Sequence, residues 1–183
     1  MFTITFPEEE RWDEELQEFV TYKAQTINLE HSLVSLSKWE SKWNKPFLSK
    51  EPKTYEESID YFKCMTITPN VDPSIYSRLT IDQIKQINDY IDAPMTATWF
   101  NEREGGGPGK HSGEQVTSEI IYYWMIALQI PFECQKWHLN RLLTLVRVCN
   151  IKNKPPKKMS KAEIMSKNKA LNAARRASMG SKG

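Results

Sequence analysis

The sequence predicts an α+β protein, predominantly α-helical: an N-terminal β-hairpin, a helical bundle, a second hairpin within it, and a basic C-terminal helix. Three observations carry this. Residues 2–6 alternate apolar and polar side chains, the period of a strand. Three capping boxes, Thr54 with Glu57, Thr80 with Gln83 and Ser160 with Glu163, mark helix starts in which hydroxyl and carboxylate or amide satisfy the free amides of the first turn. Apolar residues then recur three and four apart along most of the chain.

Taken in order, Phe2 to Phe6 is the first strand and Phe19 to Lys23, after an acidic stretch, is its partner, running on through Ile27 and Leu29. Ser32 caps a helix whose Leu33, Leu36, Trp39 and Trp43 form its apolar face, and Pro46 ends it. Ile59, Phe62 and Met65 are the inner stripe of the next helix, and Ile84, Ile87 and Ile91 that of a third. After Pro94 the residues to Phe100 read as extended, and the glycines from Gly105 to Gly109 as the loop of the second hairpin. Thr117 or Ser118 caps a helix carrying Ile121, Trp124, Met125 and Leu128. Pro131 opens another that reaches Val148. These last two helices are apolar around most of their circumference and are expected at the centre of the core.

Charge divides the chain. Net charge is +2 over 183 residues, but residues 152–183 hold ten Lys and Arg against Glu163 alone, so the tail is +9 and the rest −7. The expected organisation is a helical domain with its hairpin over 1–151 and a basic linker and helix over 152–183. A tail of that charge is either a solvated end or suits an acidic partner, nucleic acid or an acidic protein face, through Lys157, Lys158, Arg175 and Arg176. The acidic body argues against nucleic acid, and no apolar run is long enough for a membrane span. The first residues lack the basic flank and apolar run of a secretory signal. Three widely spaced cysteines, Cys64, Cys134 and Cys149, suit a reducing compartment rather than a disulfide framework.

No arrangement of residues predicts catalysis, a cofactor or a metal. The Gly109-Lys110 pair fails as a phosphate loop, because Glu104 stands where glycine is needed and His111 where Ser or Thr is needed. Cys134 and His138 are four apart on the expected helix and could share a metal, but two further ligands at paired spacing are missing. His31, between hairpin and first helix, is a helix-start residue or a pH-sensitive contact. Trp39, Trp43 and Phe47 read as core at helical spacing, or as a contact surface.

The runs LEHSLVSLSKWESKW at 29–43, PMTATWF at 94–100, IYYWMIAL at 121–128, IPFECQKWH at 130–138 and PPKKMSK at 155–161 resemble a family of small proteins of long-tailed bacteriophages and prophages known as tail assembly chaperones. The resemblance covers nearly the whole chain. It implies a non-enzyme in the host cytoplasm that binds the tape-measure protein while tail-tube subunits polymerise around it, with self-association as a further option. It also implies absence from the mature virion. Such a protein needs apolar contact surface, for which Trp39, Trp43 and Trp137 are the candidates. The alternative is a structural virion protein of the connector, neck or tail.

Overall fold

Two antiparallel strand pairs form one interrupted ribbon at the N-terminus. The computed structural model describes residues 1–14, 17–100, 115–154 and 161–180. Strand β1 (Phe2–Phe6) pairs with β4 (Gln25–Leu29), Ile4 opposite Ile27, and β2 (Glu9–Asp13) pairs with β3 (Glu18–Tyr22), Glu9 opposite Tyr22. The register is the same in both pairs, and pairing breaks at Pro7, which has no N–H to give. The sequence reading needs correcting here. The continuation through Ile27 and Leu29 is the part that pairs with β1, as Gln25–Leu29, while Phe19 lies opposite Trp12 in the acidic stretch and not opposite β1. Burial decides it, because this register puts Ile4, Phe6, Ile27 and Leu29 together on the core face, where all four are buried.

Helix α1 (Leu33–Trp43) follows, capped by Ser32 and ended by Asn44 in the left-handed conformation, φ 51, two residues before Pro46. Helices α2 (Tyr55–Met65) and α3 (Ile81–Asp92) start at the expected boxes, Thr54 with Glu57 and Thr80 with Gln83, with a 3-10 turn at Pro73–Arg78 between them. Helix α4 spans Ser118–Ala127, a second 3-10 turn Phe132–Lys136, and helix α5 Leu139–Lys152. Pro131 therefore opens a 3-10 turn and not the long helix expected. The break at Trp137 and His138 lets His138 bridge to Ser32.

No strand forms at 94–100 or 115–117, and Met95 takes a left-handed backbone, φ 48, that interrupts the extended run. The glycine loop of the expected second hairpin lies outside the described residues. The chain divides into two units, Met1–Lys152 and Asn153–Gly183, and the second contains helix α6 (Lys161–Met179), which ends at Gly180 with φ 61. Ser160 of the third capping box is outside the described residues.

The core is built by the ribbon's inner face with Leu33, Leu36 and Trp39 of α1 and Tyr61, Phe62 and Met65 of α2. Ile121 and Met125 of α4 and Leu139, Leu142 and Val146 of α5 are buried in the same core, as expected of these two helices, but α4 is not enclosed all round. It leaves Tyr123 and Ile126 about two-thirds exposed, at 66% and 62%. Glu40, buried at the end of α1, joins α4 to α1. One carboxylate oxygen accepts the backbone N–H of Phe47 at 2.8 Å, the other that of Ser118 at 2.7 Å. The first free amide of α4 is thus capped from another helix, and the Thr117 side chain makes no cap.

Glu40→Ala strands both amides. Charge-assisted bonds of this kind are worth about 1.5–3 kcal/mol each, so the expected loss is about 3 kcal/mol and a fall in Tm of about 6–12 °C. Calorimetry checks it against Asp89→Ala on the exposed face of α3, which should cost less than about 0.5 kcal/mol.

Candidate partner-binding surfaces

The three tryptophans expected at a contact surface have separate fates. Trp39 is 1% exposed, its indole Nε1 donating to the backbone oxygen of Glu57 at 2.8 Å. It holds α1 to α2 and offers no surface, which corrects that assignment. Its ring packs edge-on to Phe47 at 5.1 Å, and Phe47 stacks on Tyr61 at 3.9 Å. Trp43 is half-buried, its Nε1 donating to Asp60 at 2.9 Å. Trp137, also half-buried, lies under the guanidinium of Arg141 at 4.3 Å. Each indole is thus held against a polar neighbour.

Behind them lies a buried polar junction. His31 Nδ1 pairs with the Tyr61 hydroxyl, and the His31 and His138 rings meet at 5.1 Å. His138 accepts the Asn140 N–H at Nδ1, 3.3 Å, so Nε2 carries the proton and donates to the Tyr90 backbone oxygen at 3.0 Å. Both ring nitrogens of His138 are occupied, and Cys134 sits on the 3-10 turn, so the pair is not arranged as metal ligands. No group of three metal-binding side chains occurs among the described residues. Tyr90 donates to Glu30 at 2.6 Å, and the other oxygen of Glu30 meets the Met1 amino group at 2.7 Å. A cavity of about 550 Å³ opens beside the junction, with His31, Lys53, Tyr61 and Asn140 in its wall.

Burial governs protonation here. It holds His31 down to about 3, helped by the neighbouring His138, and it lowers His138 too, against the opposing effect of the Tyr90 carbonyl. Burial also raises the Tyr61 and Tyr90 hydroxyls. Lys53, with Nζ 4.2 Å from the centre of the Phe47 ring, is lowered by burial.

Apolar surface appears elsewhere. Trp12 and Phe19 face each other across β2 and β3 with ring centres 5.2 Å apart, 53% and 68% exposed. Tyr123 and Ile126, one turn apart on α4, are exposed with Phe132 nearby in sequence, and Trp99 is exposed as well. Helix α6 has no buried residue and exposes Ile164, Met165, Leu171 and Met179. Arg175 and Arg176 are exposed on it, while Lys157 and Lys158 lie outside the described residues. Sequence reasoning overlooked Trp12 and Phe19. The available signal was two large aromatics among carboxylates, in a segment with no apolar face for a core.

No family model, curated protein or solved structure matches the chain.

The histidines make stability depend on pH in a defined direction. In the unfolded chain each takes a proton near pH 6.5, which the folded junction resists, so the unfolded state binds more protons below that pH. Stability is fully present above about pH 6.5 and falls as pH drops toward 3. From His31 alone, the expected loss between pH 6.5 and 5 is about 2 kcal/mol. Glu57, held low by Lys45, and Asp60, which burial would raise but Lys42 and Trp43 hold low, add further losses as pH falls through the ordinary carboxylate range and below it. Urea melts across this window check the slope, and His31→Gln should flatten it.

Proposed function

We propose that the protein is a phage tail assembly chaperone that holds the tape-measure protein during tail morphogenesis through protein–protein contacts. The observation that carries the reading is α6, nineteen residues of helix with no side chain buried. Most helical stability in proteins comes from packing an amphipathic face, and α6 has no such packing of its own, so burial of its apolar stripe against a partner is what would stabilise it. Ile164, Leu171, Met179 and Met165 fall within about a third of the helix circumference, with Arg175 among them and Arg176 and Lys169 at the edge. Such a stripe suits an amphipathic helical client, packed helix to helix. The resemblance of the runs at 29–43, 94–100, 121–128 and 130–138 supplies the client.

The apolar outer face of α4, with Tyr123 and Ile126 exposed, is a second contact for the same client, and the part-buried Trp43 and Trp137 add what surface they keep. Among the described residues no helix is long and apolar enough to cross a membrane.

Co-expression with the tape-measure protein of the same phage tests the reading. The full chain should co-purify with it, and Ile164→Asp with Leu171→Asp should weaken capture about tenfold or more while leaving the melting curve of the body unchanged. Purified tails should lack the chain. Its stoichiometric retention in them would establish the structural virion protein instead.

A further inference from the structure

Two segments, the acidic β2–β3 ribbon and the basic helix α6, are opposite in charge and alike in leaving large apolar side chains exposed. Residues 8–18 carry seven carboxylates and one arginine, net −6. Within them β2 and β3 form a two-stranded sheet of their own, and such a ribbon is marginal in water without a third strand or a helix to pack on. Its Trp12 and Phe19 pair is more than half exposed. Helix α6 carries five Lys and Arg and one Glu, net +4, beside its exposed Ile164, Met165, Leu171 and Met179.

We propose that the ribbon end of one molecule docks α6 of a second copy, with Trp12 and Phe19 packed on the Ile164 and Leu171 stripe and the flanking carboxylates facing Lys169, Arg175 and Arg176. Charge selects this pairing over the symmetric ones. Ribbon against ribbon sets six net negative charges against six, helix against helix four positive against four, and like charges at an interface are repulsive. Ribbon against helix is complementary in charge, and it covers the apolar side chains of both.

The contact is heterologous, since each copy presents one acidic ribbon and one basic helix. It therefore closes into a ring or extends into a chain of copies. It also covers the α6 stripe when no client is present, so a client would compete with the ribbon for it. The inference rests on the charges and exposure of the two elements and stands whichever client α6 receives.

Sedimentation velocity of the full chain, at several concentrations and at low and high salt, tests it. The expected result is association that grows with concentration and weakens with salt, as exposed charges are screened beyond about 10 Å at 0.1 M. Glu10→Lys, Glu14→Lys and Glu18→Lys together bring the ribbon from −6 to 0, and Arg175→Glu with Arg176→Glu brings the helix from +4 to 0; each set should weaken association about tenfold, with circular dichroism melts unchanged. Mixing the two neutralised chains should recover association as a one-to-one pair, because the first keeps the native helix and the second the native ribbon. A chain that stays monomeric at every concentration, including one that docks its own helix, overturns the proposal. So does association that neither set weakens, or no recovery on mixing. Capture of the tape-measure protein is read separately, so failure of self-docking and failure of the chaperone reading are distinguishable.

Discussion

The buried passage of the chain from Leu29 to Ser32 constrains the rest of the body. Backbone groups here are out of reach of water and each needs a partner, at a cost of about 1–3 kcal/mol if one is missing. The Glu30 N–H goes to the Met65 oxygen at 2.9 Å, and the His31 oxygen accepts the Leu139 N–H at 2.7 Å. Leu29 bridges to Thr66 and Ser32 to His138. The Ser35 hydroxyl reaches both the Glu30 and Ser32 oxygens. These bonds determine where α2 must end and where α5 must begin. The helix expected from Pro131 onward is broken at His138 because that residue is needed beside Ser32.

Around this passage the core is more polar than its hydrophobic list suggests, and the polar groups arrive matched. Glu40 takes two backbone amides. Glu57 takes Lys45 at 2.6 Å and the Thr54 amide at 2.8 Å. Asp60 takes Lys42 and the Trp43 indole. Arg78 is the exception, with the one buried side-chain polar atom among the described residues that has no hydrogen bond, its Nε. Its Nη2 still donates to the Pro7 oxygen at 2.6 Å, its guanidinium lies over the Phe6 and Tyr22 rings, and Glu9 is 3.7 Å from Nε. Arg78 thus fastens the ribbon at the point where Pro7 interrupts its ladder. Burial of a cation between two aromatic rings offsets part of the missing bond.

Stability and contact surface therefore occupy different parts of the chain. The body spends its large aromatics on the interior, where Trp39, Phe47 and Tyr61 pack on one another, and an interior of that kind leaves little apolar surface for a partner. What remains exposed belongs to elements with little packing of their own: the β2–β3 end, the outer face of α4, and α6. Elements that bury little are also the ones whose order a partner can change most cheaply.

The sequence by itself determined what local chemistry controls. Capping at Ser32, Thr54 and Thr80 is a contest among neighbouring residues, so the starts of α1, α2 and α3 were legible, as were the mainly helical class and the alternation of β1. Tertiary structure decided what depends on distant partners. The alternation of Phe2 to Phe6 cannot say which later strand lies opposite it, and only the shared burial of Ile4, Phe6, Ile27 and Leu29 selects Gln25–Leu29. The apolar circumference of α4 looks the same whether Tyr123 and Ile126 face a core or solvent. Trp39 and Trp137 are equally good contact residues as letters; one is interior because Glu57, eighteen residues on, supplies an acceptor for its indole, and the other is left at the surface under Arg141. Side-chain periodicity reports which residues share a face, and only the packing of distant segments reports what that face meets.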